Sequence, residues 1–250
     1  FARAAEGSPA LVLVGGPSGI GKTALGRSVY REISELGRGN LLSGKHDQLA
    51  QSVPFAALSQ AISKLMGEIA ASPKTIFEAW RTTLVEKVGP AIRAVCDAIP
   101  AVEWVIGRQP DLPHADAEMA ANRLRAAWLS FVEVVRDQSP PLVLFLDDMQ
   151  WVDPASLSVL TTLLKDAGRT KLLLIAAYRD NETDADHPLW KLALDVEASG
   201  VRTTRLTVGP LDESMVERWL AVTLSANAET VRPLARVLHQ KTAGNPFFLG

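Results

Sequence analysis

Cysteine is almost missing from this chain of 250 residues: Cys96 is alone, so no disulfide can form within one chain. Cys96 lies in a helical-looking apolar stretch, 91–96, a pattern more typical of a core residue than of a nucleophile. The four histidines are scattered without the spacing of metal ligands. No apolar run approaches the roughly 18 residues that a membrane-spanning helix needs. The sequence therefore does not predict a disulfide scaffold, a histidine metal centre or a membrane span.

Excess charge of one sign is also lacking, since 26 Lys and Arg oppose 28 Asp and Glu for a net charge of −2. Without a long like-charged run there is no electrostatic case for direct contact with nucleic acid or with an anionic membrane. A hydrophobic content of 47% is enough for a sizeable core in one or two domains. We expect a cytoplasmic globular protein. Because the chain starts at Phe1 rather than Met, we also expect it to be a piece of a longer polypeptide.

The most informative motif is the stretch GPSGIGKT at 16–23, which fits the phosphate-loop spacing GxxxxGK[ST]. It follows an apolar strand pattern and opens a helical one. Its glycines allow a tight turn with inward-pointing amides, which form an anion-binding nest at a helix N-terminus. Lys22 can reach the outer phosphates, and the Thr23 hydroxyl can bind Mg²⁺. The predicted nucleotide-binding residues are Gly16, Pro17, Ser18, Gly19, Ile20, Gly21, Lys22, Thr23 and Ala24.

Alternating strand and helix patterns predict an α/β fold with a parallel sheet. Strands are predicted over 11–15, 40–45, 142–146, 172–177 and, as a weaker edge candidate, 202–208. Helices are predicted over 22–36, 154–164, 212–224 and 229–241, with an almost wholly helical insertion from about 54 to 135. We predict a nucleotide-binding domain at 1–208, with helices on both faces of its sheet. The start of a second, helical domain, truncated, is predicted at 209–250.

Polar residues follow two of the buried strands, where ligands of parallel sheets bind. Asp147 ends one strand and is suited to hold the Mg²⁺ bound by Thr23, since hard cations prefer oxygen ligands. Asp148 could orient or deprotonate an attacking water. Gln150 is a competing candidate, because an amide can orient water without accepting its proton. All three belong to the predicted metal and hydrolysis site.

Two further candidates have equally good structural explanations. Arg179 follows another buried strand and could sense a terminal phosphate, but a plain surface arginine fits the spacing as well. Pro246 lies in the stretch Gly-Asn-Pro-Phe-Phe, 244–248. In the simpler interpretation Gly244 ends one helix, Pro246 starts the next, and the two phenylalanines join the core. In the other, Pro246 contacts the nucleobase.

These motifs resemble the signal-transduction ATPases with numerous domains, the STAND class of P-loop NTPases, and in particular its bacterial branch of AAA-type predictive ATPases. The similarity is carried by GGPSGIGKT, LVLFLDDMQWVDPASLSVL, LLLIAAYRD, HPLWKL and GNPFFL. The segment Gly44 to Gln48, followed by Pro54 and Phe55, looks like versions attached to serine/threonine kinases, hybrid sensor kinases and LuxR-type regulators. One departure is the short segment before the first strand, where the family has further nucleotide contacts.

The resemblance implies a sensor role for Arg179, an adenine contact at Pro246 and a helical lid formed by the second domain. It further implies ATP and ADP as ligands with Mg²⁺, and a switch in which ADP holds the lid closed and ATP opens it. Other domains of the same polypeptide are the expected partners, with ATP-dependent self-association. We expect a regulatory ATPase whose catalytic residues are Lys22, Asp148, Gln150 and Arg179. A metabolic phosphotransferase and a nucleotide-holding scaffold without turnover stay open as alternatives.

Overall fold

The structure, a computed structural model, describes residues 4, 6–35, 40–50, 53–138, 142–165 and 171–249. Within these residues five parallel strands form one sheet in the order β2-β3-β4-β1-β5. Their bounds are β1 Ala10–Gly15, β2 Asn40–Lys45, β3 Leu142–Asp147, β4 Leu172–Tyr178 and β5 Arg202–Thr207. Because β1 and β3 both pair with β4, the phosphate loop and the residues after β3 meet at one edge of the sheet. The predicted α/β fold with a parallel sheet is confirmed, as is the edge position of β5.

Helices cover both faces of the sheet, because apolar side chains of alternate strand residues point to opposite sides. On β3, Leu144 packs into the main core with residues from several helices, and Phe145 packs into a second cluster together with Val29. The helices are α1 Lys22–Glu35, α2 Ala56–Ala70, α3 Lys74–Val88, α4 Ile92–Ala98, α5 Glu103–Ile106, α6 Ala117–Gln138, α7 Pro154–Lys165, α8 Pro188–Ala198, α9 Glu213–Thr223 and α10 Ala228–Thr242. Short 3₁₀ turns link several of them.

The segment between β2 and β3 is helical, from α2 to α6, as its pattern predicts. Trp128 of α6 is fully buried in the main core and stacks on Phe55, with ring centroids 4.9 Å apart. Cys96 is also buried there, in agreement with a core role. Burial raises the pKa of its thiol to about 11, so it is a poor nucleophile near neutral pH. The insertion is therefore anchored to the sheet by a common hydrophobic core.

Polar side chains cap several helix starts. Asp153 accepts hydrogen bonds from the amide and hydroxyl of Ser156 at 2.8 and 2.6 Å, which caps α7. Asp212 accepts from the Met215 amide at 2.8 Å and caps α9 in the same way. Helix α8 was not among the predicted elements; its start at Pro188 is capped by the His187 side chain.

After β5 the chain forms α9 and α10, which pack on each other around a small separate cluster: Val216, Leu220, Val231 and Ala235. We call residues 209–249 the lid segment. Its last turn folds back on its own start, where the Leu211 amide donates to the Gly244 carbonyl at 2.9 Å. Gly244 has a φ of 71°, and a Cβ there would overlap the carbonyl oxygen of Leu211, so a glycine is needed. Among the described residues, no helix is long and apolar enough to cross a membrane.

Candidate nucleotide site

The loop from 16 to 21 joins the end of β1 to the start of α1 and is shaped by its glycines. Gly19 and Gly21 have φ values of 76° and 103°, in the left-handed region that side chains disfavour. Lys22, the first residue of α1, folds back over the loop and donates to the carbonyls of Gly16 and Pro17 at 2.6 and 2.8 Å. Its side chain is only 6% exposed, and this burial lowers its pKa despite the nearby Asp147 and Asp148. Lys22 is thus placed over the nest in which phosphates would bind.

Thr23 and Asp147 come together across the sheet edge. The Thr23 hydroxyl donates to Oδ2 of Asp147 at 2.5 Å, although 124 residues separate the two in sequence. A hydroxyl and a carboxylate oxygen suit Mg²⁺, which takes one or two protein ligands and completes its shell with water and phosphate oxygens. Among the described residues no group of three or more His, Cys, Asp or Glu could hold a metal ion by itself. The pair therefore fits a magnesium ion that arrives with a nucleotide.

Asp148 is the centre of a cluster of charged and polar groups. It has left-handed backbone angles, φ 52° and ψ 44°. Oδ1 accepts from Nε2 of Gln150 at 3.1 Å and lies 3.3 Å from Nε of Arg179, and Oδ2 lies 3.2 Å from Nζ of Lys45. Burial alone would raise the pKa of Asp148, but the hydrogen bond from Gln150 and the nearby Lys45 and Arg179 outweigh it and lower the pKa. Asp148 is therefore a firmly ionised group, better suited to orient water than to remove its proton.

Arg179 is held on several sides. Its amide donates to Oε1 of Gln150 at 3.1 Å, and its guanidinium contacts Glu182 at 2.8 Å. The guanidinium carbon also lies 4.8 Å from the ring centroid of Trp151, a cation–π contact. Arg179 is thus part of the cluster around Asp148 rather than a plain surface residue, and Gln150 links the ends of β3 and β4.

The lid segment touches the phosphate loop directly. Nδ2 of Asn245 donates to the Ser18 carbonyl at 3.0 Å, and a Cβ at Gly19 would lie 2.6 Å from Cβ of Phe247. Pro246 lies between these two contact residues and begins a 3₁₀ turn. Gly244 follows the end of α10, so this part of the simpler interpretation agrees with the structure. Its other part is wrong, because Phe247 and Phe248 are 71% and 65% exposed and do not join a core.

The structure brings the predicted residues into one region: Lys22 and Thr23 from α1, Asp147 to Gln150 after β3, and Arg179 after β4. The sequence argument missed Lys45, which is in the Asp148 cluster, and Asn245, which contacts the loop. Lys45 could have been found by asking what ends β2, as was done for the two buried strands. The donor Asn245 gave no separate signal, since only the packing of the lid segment brings it to Ser18.

Three comparisons place the chain among known proteins. Residues 1–175 match the family model described as AAA ATPase domain. A hybrid signal transduction histidine kinase, kinase G of Dictyostelium discoideum, is 23% identical over 310 residues, which cover 99% of this chain and 9% of that protein. The chain thus spans about a tenth of that relative's length.

The chain is also similar to solved structures, of which two follow. The Aeropyrum pernix ORC2 protein, solved in ADPNP–ADP complexes, matches with a TM-score of 0.50 at 13% identity. The match covers 99% of this chain and 56% of the ORC2 chain. A STAND protein with a tetratricopeptide repeat sensor from Pyrococcus horikoshii has a TM-score of 0.42 at 13% identity. The match covers 98% of this chain and 27% of the STAND protein chain.

Proposed function

Because this chain belongs to the AAA ATPase domain family, we propose that it binds ATP and ADP with Mg²⁺ and hydrolyses ATP slowly as a regulatory switch. The observation that carries the proposal is the contact between Thr23 and Asp147, which lies beside a buried Lys22. A threonine, an aspartate and a lysine from two distant segments form the charge pattern that a magnesium-bound triphosphate requires.

Lys22 and the loop amides would bind the phosphate chain. In the structure the Lys22 ammonium donates to the carbonyls of Gly16 and Pro17 in the loop. It would exchange these two hydrogen bonds for phosphate oxygens bound at the same loop. Thr23 and Asp147 would hold Mg²⁺, which neutralises charge on the phosphates. The predicted contacts of Ile20 and Ala24 belong to the same loop and the first turn of α1.

Hydrolysis requires a water molecule in line with the terminal phosphate. Asp148 and Gln150, whose side chains are hydrogen-bonded to each other, would orient it. The water oxygen forms a bond to the terminal phosphorus, the bond from phosphorus to the ADP oxygen breaks, and the water proton ends on the released phosphate. Because the pKa of Asp148 is lowered, the carboxylate acts by orientation, and the phosphate itself is the better proton acceptor.

The switch would couple the terminal phosphate to the lid segment. Arg179, which pairs with Asp148, would contact the terminal phosphate that ADP lacks. Asn245 and Phe247 of the lid segment touch the phosphate loop at Ser18 and Gly19. We infer that Pro246 borders the nucleobase and that the lid moves when ATP replaces ADP. We place the domain boundary at 208/209 and take other domains of a larger signalling protein as partners. ATP-dependent self-association and a cytoplasmic location are parts of this proposal.

Calorimetric titration tests the proposal with Lys22→Ala and, as a control, Lys191→Ala on the exposed part of α8. Wild-type and control protein should bind both nucleotides, and binding of ATP should weaken when Mg²⁺ is removed. Lys22→Ala should lose affinity for both, since each has the phosphates that Lys22 would contact. Undiminished affinity in Lys22→Ala would refute the site.

A nucleotide-holding scaffold without turnover is the second candidate. The observation that favours it is the occupation of Asp148 by both Lys45 and Arg179, which leaves little of the carboxylate for water. Phosphate release measured over hours with bound ATP separates the two: production of free phosphate above that of an Asp148→Asn variant supports the switch, and its absence supports the scaffold.

A further inference from the structure

Lys45 is a cation at the sheet edge to which no motif assigned a role. It ends β2, and its ammonium lies 3.2 Å from Oδ2 of Asp148, in the cluster proposed to orient water. We propose that Lys45 is a second ligand of the terminal phosphate of the nucleotide, approaching from the side opposite Lys22. The inference rests on the proposed function and assigns a residue that binds the terminal phosphate in that same site.

The backbone of Lys45 is held firmly. In the pairing of β2 with β3, Lys45 lies opposite Asp147, so its Cα is fixed beside the proposed metal ligand. Its amide donates to Oε1 of Gln60 on α2 at 2.8 Å. A Cβ at the preceding Gly44 would overlap the carbonyl oxygen of Ala57, so the strand end is pressed against α2. The point from which the side chain extends is therefore fixed beside the site.

The side chain of Lys45, in contrast, is not held by burial. It is 61% exposed, whereas that of Asp148 is 7% exposed. Lys45 lines two cavities of about 490 Å³ each: one includes Thr23 and Asp147, and the other includes Asp148 and Arg179. It therefore lies on the wall between the proposed metal corner and the water-orienting cluster. A terminal phosphate that is bound at Thr23 and faces Asp148 has to lie near this wall.

The charges explain why Lys45 would move to such a ligand. One carboxylate, Asp148, is shared between Lys45 and Arg179, at 3.2 and 3.3 Å. A phosphate oxygen offers Lys45 a stronger charge-assisted partner than half of a shared carboxylate. When Lys45 leaves, one oxygen of Asp148 is freed to accept a hydrogen bond from water. ADP has no terminal phosphate and would leave Lys45 on Asp148.

The test compares Lys45→Met with Lys45→Arg and with Lys74→Met, an exposed lysine on α3 that lines neither of these two cavities. Affinities for ADP and for a non-hydrolysable ATP analogue are measured by calorimetry with Mg²⁺. Lys45→Met should bind the analogue about 10 to 100 times more weakly, from the strength of a charge-assisted hydrogen bond, and ADP within about twofold of wild type. Lys45→Arg should restore most of the loss, and Lys74→Met should change neither affinity.

Equal losses for both nucleotides, or no loss for either, would overturn the inference. Repeating Lys45→Met in an Asp148→Asn background separates a direct contact from neutralisation of Asp148. The analogue-specific loss should persist there, and its disappearance would mean that Lys45 acts only through the carboxylate. Failure of the proposed function is distinct, since the unsubstituted protein would then bind neither nucleotide.

Discussion

Replacing Asp148 by asparagine removes the charge that holds two cations at the sheet edge. The Asp148 side chain is 7% exposed, whereas those of Arg179 and Lys45 are 24% and 61% exposed. Removal of one partner from a fully buried ion pair costs about 3–5 kcal/mol, but here both cations can regain water. We therefore expect Asp148→Asn to lower the free energy of unfolding of the nucleotide-free protein by about 1–3 kcal/mol.

The backbone of Asp148 adds a second, separable contribution. Its left-handed angles suit asparagine but cost alanine about 1 kcal/mol more. Asp148→Ala should therefore be less stable than Asp148→Asn by about that amount, plus the loss of the hydrogen bond with Gln150. The pH dependence of the free energy of unfolding has a defined sign. Because the pKa of Asp148 is lowered in the folded protein, its contribution to stability is fully present above its ordinary pKa. That contribution is lost as the pH falls through the lower folded value, and Asp148→Asn lacks it.

The same variant tests the chemistry. Orientation of water by a carboxylate contributes about 100-fold or more to turnover, so Asp148→Asn should release phosphate at least about 100 times more slowly. Nucleotide affinity should persist, because Lys22 and Thr23 are unchanged. Urea unfolding gives the stability, and a phosphate-release assay at saturating ATP gives the rate. Turnover at the wild-type rate would refute the role of Asp148 and transfer it to Gln150.

Three further predictions concern other parts of the molecule. Arg179→Ala should lower the affinity for ATP about 10-fold more than the affinity for ADP in calorimetric titrations. Equal losses of affinity would mean that Arg179 has only a structural role. Gly244→Ala should disrupt the turn that packs on Leu211 within the lid segment, at a cost of at least about 1–2 kcal/mol, seen as faster proteolysis within 209–249; an unchanged cleavage pattern would contradict the packing at Leu211. Cys96 has a pKa of about 11 and a buried side chain, so it should react with thiol reagents at pH 8 only after unfolding. Rapid labelling of the native protein would contradict its burial.

Much of the sheet could be predicted because its strands have a strong local signature. The stretches Leu142–Asp147 and Leu172–Tyr178 are covered on both faces, so every residue is apolar until the polar residue that marks the sheet edge. The phosphate loop was also predictable, because few sequences allow its backbone geometry. The resemblance to AAA-type ATPases is confirmed by the family match over 1–175.

The pairing of side chains was not predictable, because it depends on strand order. Lys45 meets Asp148 only because β2 lies next to β3, although α2 to α6 separate these strands in sequence. The simpler interpretation put Phe247 in the core from its apolarity, but α9 and α10 pack around their own small cluster, which does not include it. Helix α8 was missed as an element, although its Pro188 is a first-turn proline, a residue typical of helix starts. The roles of the individual site residues stay predictions until nucleotide is bound.

A crystal structure of this protein with Mg²⁺ and a non-hydrolysable ATP analogue tests the central claim most directly. The account predicts that Lys22 exchanges the carbonyls of Gly16 and Pro17 for phosphate oxygens and that a magnesium ion lies between the phosphates, Thr23 and Asp147. A nucleotide bound elsewhere, with Lys22 still on the loop carbonyls and Thr23 still donating to Asp147, would contradict it.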